Sequence, residues 1–165
     1  MPRFTGLPLV TTRLQLRAPR PADADAIFGI FSDPQAMQYW STPPWTTPQQ
    51  ALEQIERDLA WLEEGSALRL SLAVRSKAIS KAVGEPGIEG HAGDVIGLAS
   101  LFSIDTASER AEIGYILAPS AWGRGLMHEA LGALVAYAFG ALGLRRLEAD
   151  IDPRNARSAR TLERL

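Results

Sequence analysis

Two glycines separated by one residue stand just before a long apolar stretch, in the segment AWGRGLMHEA (121–130). This pattern predicts a turn that leads into a helix, whose first backbone N–H groups have no partner within the helix. Those N–H groups and the helix dipole both favour negative charge. Because Gly123 and Gly125 carry no Cβ, phosphate oxygens can approach the main chain closely, and Arg124 adds positive charge. The chemistry that this segment suits is phosphate binding.

Three kinds of phosphate-binding loop can be compared with this segment. A Walker loop needs Gly-Lys-Ser/Thr, which the sequence lacks. A dinucleotide fingerprint needs a third glycine at position 128, where His128 stands, and this disfavours a nicotinamide enzyme. What remains is a shorter loop, in which consecutive amides from Gly123 to His128 wrap one pyrophosphate. Two glycines alone are equally compatible with a strand–helix turn that binds nothing.

Composition excludes several other classes of site. The chain has 165 residues and no cysteine, which excludes thiol catalysis, disulfides and thiolate metal sites. Its histidines, His91 and His128, are separated, so no metal site is expected. The formal net charge is -2, with acids and bases interspersed, so neither nucleic acid nor an anionic membrane is an expected partner. We expect no signal peptide and no membrane span, and the predicted compartment is the cytoplasm.

Hydrophobic patterning predicts the elements that position the glycine segment. Strands are predicted at 12–17, 68–74, 95–102, 112–117 and 144–151, and helices at 21–31, 48–64, 125–142 and from about 155. The strand–helix–strand unit from 112 to 151 should be parallel with a right-handed crossover. The three strands before it should be antiparallel, with a long hairpin connection at 75–94. The predicted fold class is α/β (α+β): one domain over 1–165, with a mixed, mostly antiparallel sheet and helices on both faces.

Three segments in the same order resemble the GNAT superfamily of N-acetyltransferases, and more narrowly its RimJ/RimL-like branch, the ribosomal-protein-alanine acetyltransferases. They are AEIGYILAP (111–119), WGRGLMHEA (122–130) and DPRNARSARTLERL (152–165). The N-terminal TTRLQLR is similar to that branch as well, and the resemblance covers nearly the whole chain except 75–94. It implies the GNAT fold, acetyl-CoA as co-substrate, and acetyl transfer to a primary amine of a protein N-terminus or a small molecule.

The resemblance also implies roles for individual residues in binding coenzyme A. The residues whose backbone amides would hold the pyrophosphate are Gly123, Arg124, Gly125, Leu126, Met127 and His128. The backbone of Tyr115, Ile116 and Leu117 would pair with the pantetheine arm as an added strand. Asn155 would bond the same arm through its side chain. An asparagine before a helix is also a routine N-cap, and both roles can hold at once.

Acetyl transfer to an amine needs a base for the ammonium proton and an acid for the departing thiolate. Glu112 is the first candidate base, acting through water, and a structural carboxylate paired with an arginine is the equal alternative. Asp150 is the second candidate. In many members of the superfamily the general acid is a tyrosine, seven residues after the asparagine that bonds the pantetheine arm. This chain has Leu162 at that position. Ser158 is therefore the candidate acid, against the alternative of an ordinary helix serine.

The acceptor amine is not specified by these motifs. Tyr39, Trp40 and Trp45 either line the acceptor cleft or pack in the core. Relatives continue beyond TLERL with Gly-Phe and two further strands, so the resemblance implies a domain that lacks its last two strands. The strand that holds Asp150 would then have an unpaired edge, which favours pairing with another chain, as in a homodimer. A non-catalytic module that binds acyl-CoA is the alternative function.

Overall fold

This computed structural model describes residues 3–75 and 92–165, which form a six-stranded sheet with helices on both faces. Most of the predicted connection at 75–94 therefore lies outside the described residues. The strands lie side by side in the sheet in the same order as they occur in the chain. They are β1 (Leu9–Val10), β2 (Leu14–Arg17), β3 (Leu68–Val74), β4 (Val95–Asp105), β5 (Arg110–Leu117) and β6 (Arg146–Glu148). The helices within the described ranges are α1 (Ala24–Phe31), α2 (Gln49–Glu64), α3 (Leu126–Gly140) and α4 (Ala156–Glu163).

The strand pairing confirms the predicted mixed sheet. Neighbouring strands from β1 to β5 are antiparallel, and β5 pairs with β6 in parallel through the α3 crossover. The two-residue strand β1 is too short to produce a sequence pattern. Strand β6 is shorter than the predicted 144–151, because its pairing with β5 is confined to Arg146–Glu148 and the chain leaves its partner before it reaches the turn that contains Pro153.

Two hydrophobic layers hold the helices against the sheet. On one face, α3 buries Leu126, Leu131 and Leu134 completely against the leucines of the strands. This explains why its sequence is apolar nearly all round. On the other face, α1 and α2 bury Ile27 and Ile55 against β4 and β5. The connection between α1 and α2 thus lies on the face opposite α3.

A buried ion pair ties the end of β2 to the start of α1. Arg17 Nη1 and Nη2 donate to the two carboxylate oxygens of Asp23 at 2.7 and 2.8 Å. The backbone N–H of Arg20 and the hydroxyl of Ser71 donate to the same carboxylate. Burial alone would raise the pKa of Asp23, but these hydrogen bonds and the charge of Arg17 lower it below its ordinary value. The pair fixes the direction in which α1 leaves the sheet.

We expect the fold to lose stability at acid pH in part through Asp23. A carboxyl group whose pKa is depressed by folding stabilises the protein above its unfolded pKa, and this contribution is lost as pH falls through the folded pKa. Urea unfolding at steps from pH 7 to pH 3 measures the dependence. Asp23→Asn should unfold at lower urea at pH 7, and its stability should vary less with pH. Identical pH dependence in the two proteins would contradict this role.

Candidate functional site

A cleft of about 1460 Å³ lies between β5, the start of α3, α4 and the connection from α1 to α2. Residues of α2, β3 and β4 complete its floor and walls. A typical site for one small ligand encloses roughly 300–1,000 Å³. This cleft therefore has room for two substrates side by side.

The glycine loop forms one end of the cleft. Gly123 and Gly125 have φ angles of 73° and 71°, in the left-handed region where a side chain is strained. Gly125 is the N-cap of α3, so the two glycines allow the chain to turn from β5 into this helix. A Cβ at Gly123 would meet no atom within 4 Å, which shows that the space above the loop is open.

The amides of the first turn of α3 are available to a ligand. The N–H groups of Leu126, Met127 and His128 donate to no residue that the structure describes, whereas the N–H of Glu129 donates to the carbonyl of Gly125 at 3.0 Å. All three residues line the cleft together with Gly123 and Gly125. Arg124 is not among the lining residues. The geometry is that of an anion-binding helix start.

Two residues that sequence reasoning missed, Arg13 and Glu129, hold the loop in place. Arg13 Nη1 donates to the carbonyl of Arg124 at 2.9 Å, and its Nε donates to Glu129 Oε2 at 2.6 Å. The hydroxyl of Thr11 donates to Glu129 Oε1 at 2.6 Å. Burial opposes the charge of Glu129, but these hydrogen bonds lower its pKa below the ordinary value. The only sequence signal for these contacts was the position of Glu129, an acidic residue in the first turn of a predicted helix.

One edge of β5 is open toward α4. Parallel pairing with β6 extends only from Arg110 to Glu112, so the following residues, 113–117, have a described strand partner on one side only, in β4. Tyr115, Ile116 and Leu117 line the cleft along this edge. The indole N–H of Trp122 donates to the carbonyl of Leu117 at 2.9 Å. The remaining backbone groups of the edge can pair with an extended ligand.

The start of α4 brings two predicted residues against β5. Asn155 is the N-cap of α4, as predicted, because its Oδ1 accepts a hydrogen bond from the N–H of Ser158 at 3.1 Å. The Ser158 hydroxyl lies 2.6 Å from the hydroxyl of Tyr115. Burial raises the pKa of Tyr115, although the hydrogen bond with Ser158 opposes the shift. Sequence reasoning assigned Tyr115 only through its backbone, and the structure adds its phenol.

Arginines surround the α4 side of the cleft. The Arg157 guanidinium lies 4.0 Å from the ring centre of Trp122, and that of Arg154 lies 5.9 Å from the ring centre of Tyr39. Arg154 also pairs with Asp152, and its hydrogen bonds lower the pKa of Asp152 to about 2. The lining arginines of this side are Arg154, Arg157, Arg160 and Arg164. Their positive charge favours an anionic ligand.

The two candidate bases differ in their surroundings. Glu112 lies between Phe102 of β4 and Glu148 of β6 in the strand register, next to the cleft but not among its lining residues. Within the described residues it has no ion-pair partner, because Arg110 pairs with Glu148 instead. This disfavours the alternative of a structural carboxylate held by an arginine. Asp150 is exposed and lines the cleft directly.

The aromatic residues of the α1–α2 connection divide between core and cleft. Trp45 stacks on Phe31 with ring centres 4.4 Å apart and packs in the layer beneath α1. Trp40 and Tyr39 line the cleft. Among residues 3–75 and 92–165, no cluster of three or more His, Asp or Glu side chains could hold a metal ion. No helix in these ranges is long and apolar enough to cross a membrane.

Comparison with known proteins connects this chain with one family. Residues 13–165 match the family model of the acetyltransferase (GNAT) domain. Over 157 residues the chain is 34% identical to an uncharacterized N-acetyltransferase, p20 of Bacillus licheniformis, and the match covers 95% of this chain and 80% of p20.

Two solved structures show the same architecture. RimL, a ribosomal L7/L12 α-N-protein acetyltransferase in complex with coenzyme A, has a TM-score of 0.76 at 21% identity, over 94% of this chain and 80% of RimL. The spermidine N-acetyltransferase of Vibrio cholerae, in complex with coenzyme A and spermine, has a TM-score of 0.72 at 20% identity, over 93% of this chain and 80% of that protein. At these identities the likeness establishes the fold.

The family itself is shown by the match of residues 13–165 to the family model. The chain therefore belongs to the GNAT family and is an acetyltransferase.

Proposed function

We propose that this acetyltransferase uses acetyl-CoA and transfers the acetyl group directly to a primary amine while both substrates occupy the cleft. The observation that carries the proposal is the row of amides at the start of α3 that donate to none of the described residues, and this row is continuous along the cleft with the open edge of β5. We assign the chain to the RimJ/RimL-like branch on the three motifs and the likeness to RimL.

The residues that line the cleft offer contacts for two parts of coenzyme A, the pyrophosphate and the pantetheine arm. The amides from Gly123 to His128 would hold the pyrophosphate, and the arginines of α4 add positive charge beside it. The open backbone of Tyr115, Ile116 and Leu117 would pair with the pantetheine arm. The side-chain oxygen of Asn155 caps α4, but its amide nitrogen donates to no described residue and is available to the arm.

The bound co-substrate supplies a thioester. The side chains around it carry out proton transfers from the acceptor nitrogen and to the departing thiolate. Glu112, acting through water, or Asp150 removes a proton from the ammonium group so that a neutral amine attacks the thioester carbonyl. A backbone N–H on the open edge of β5 stabilises the oxyanion. As the C–N bond forms and the C–S bond breaks, the Ser158 hydroxyl gives its proton to the departing thiolate and regains a proton from the nitrogen, which becomes a neutral amide. Tyr115 positions Ser158 through their hydrogen bond.

Initial-rate kinetics test this function. Thiol release from acetyl-CoA should depend on an added amine, within a panel of peptides, amino acids and small amines. Double-reciprocal plots at several amine concentrations should intersect, because both substrates must be bound before reaction. Parallel lines would indicate a covalent acetyl-enzyme and contradict direct transfer. Coenzyme A binding without turnover on any amine would favour the non-catalytic acyl-CoA-binding module.

A further inference from the structure

The floor of the cleft contains an arginine, Arg69, that has no part in the proposed transfer chemistry. Arg69 of β3 lines the cleft with a side chain that is 22% exposed, and its Nη1 is 3.6 Å from Oδ1 of Asp58 in α2. That separation is too long for a hydrogen bond. The guanidinium donates no hydrogen bond to any described residue. A mostly buried group with several donors thus has only a distant counter-charge.

Asp58 is also incompletely satisfied. Its side chain is 1% exposed, its Oδ1 accepts a hydrogen bond from Gln54 at 2.8 Å, and its Oδ2 has no hydrogen-bond partner among residues 3–75 and 92–165. Burial lowers the pKa of Arg69 and raises that of Asp58, so their attraction does not compensate for desolvation. Native structures rarely leave a buried polar atom such as Asp58 Oδ2 unsatisfied without a functional reason. Because Asp58 does not line the cleft, a ligand would reach Arg69 and not Asp58.

The strand register relates Arg69 to the reaction centre. Arg69 pairs with Ser100 of β4, and Ser100 pairs with Gly114 of β5, so the three residues form one row across the sheet. Neighbouring strands are about 4.8 Å apart, which puts β3 about 10 Å from β5. Gly114 lies within the open edge of β5, directly before Tyr115, and this edge would hold the thioester. An acceptor whose amine reaches β5 can therefore place a second group on Arg69.

The surroundings favour an acceptor of one chemical class. Trp61 and Phe102 line this part of the cleft with partly exposed rings, and a Cβ at Gly114 would lie 3.0 Å from the Phe102 ring. These rings can pack against an apolar segment of the acceptor between its amine and its second group. Among the described lining residues, the carboxylates are Asp150 and Asp152, which stand after β6 and not beside Arg69. A polycationic chain would meet a guanidinium here.

Building on the proposed function, we infer that Arg69 binds a carboxylate of the acceptor, and that the substrates are amines with a carboxylate within about 10 Å of the reacting nitrogen, joined by an apolar spacer. A guanidinium binds a carboxylate through two parallel hydrogen bonds, and these would satisfy donors that the fold leaves unpaired. Amino acids and peptides with an acidic group near the N-terminus belong to this class. Polyamines do not.

Matched acceptors test the inference. The ω-amino acids from β-alanine to 6-aminohexanoate are compared with their amides and with spermidine, by kcat/KM for thiol release. At the best length the carboxylate should exceed its amide by about tenfold or more, since a hydrogen bond to a charged group is worth more than one to a neutral group. Equal values for acids and amides at every length, or a preference for spermidine, would overturn the inference.

Two variants test whether Arg69 is the source of the preference for acids over amides. Arg69→Gln combined with Asp58→Asn removes both charges and leaves no lone buried charge, so the acid-to-amide ratio should fall to about one. Arg145→Gln is the control, because the Arg145 side chain is 81% exposed, pairs with Glu109 on the surface and does not line the cleft; its ratio should equal that of the unchanged protein. A ratio that survives in the double variant would contradict the role of Arg69.

Product binding separates this inference from the proposed catalysis. Calorimetry in the presence of coenzyme A compares N-acetyl-ω-amino acids with their amides and requires no turnover. If no amine is acetylated, the proposed catalysis fails, but tighter binding of the acid product, lost in the double variant, would still support the Arg69 site. Equal affinities for acid and amide products would refute the Arg69 site whether or not the protein is active.

Discussion

Gly125→Asp is expected to weaken coenzyme A binding by a hundredfold or more. The carboxylate would stand at the N-cap of α3, beside the amides proposed to hold the pyrophosphate, and would repel the phosphates. Among the described residues, a Cβ at this position would meet Arg13 Nη2 at 3.6 Å, an ordinary van der Waals contact, so the Cβ itself causes no clash. The φ angle of 71° adds strain of order 1–2 kcal/mol for a residue other than glycine.

The matched control for this change is Gly125→Asn. Asparagine has nearly the shape of aspartate, tolerates the left-handed region better than most residues, and is uncharged. Calorimetry with coenzyme A should show a much smaller loss for Gly125→Asn than for Gly125→Asp, while thermal unfolding shows that both variants fold. Similar affinities for Gly125→Asp and the unchanged protein would count heavily against the pyrophosphate site.

Ser158→Ala is expected to lower kcat by about a hundredfold, the lower end of what a positioned acid contributes. The affinity for coenzyme A should change little, since the proposed cofactor contacts belong to the glycine loop, the β5 backbone and Asn155. Stopped-flow measurement of a single turnover separates the chemical step from product release. Unchanged single-turnover rates in Ser158→Ala would remove Ser158 from the mechanism.

Tyr115→Phe tests whether the phenol acts through Ser158. It removes the 2.6 Å hydrogen bond while keeping the ring, and we expect kcat to fall by about tenfold. The same substitution made in the Ser158→Ala background should have almost no further effect on kcat, because the two residues act as a unit. Additive losses would indicate that Tyr115 supports only the local structure.

Local sequence patterns predicted most of the framework. Hydrophobic patterning identified the strands from β2 to β5, by alternation in the case of β2, and the glycine pair marked the entry to α3. Proline and asparagine positions marked the turn after β6 and the cap of α4. These features follow from the periodicity and backbone preferences of neighbouring residues, which the sequence carries directly. The early end of β6 was missed, because the strand pattern continues after the backbone has left its partner.

The contacts that shape the site were decided by tertiary structure. Arg13 reaches Glu129 across 116 positions of the chain, and Tyr115 meets Ser158 across 43. Arg69 faces Asp58 only because of the way α2 packs on β3. The sequence by itself determined the order of the elements from β2 onward and the glycine turn that leads into α3. Which side chains meet in the cleft depends on strand register and helix packing, and no local periodicity records those.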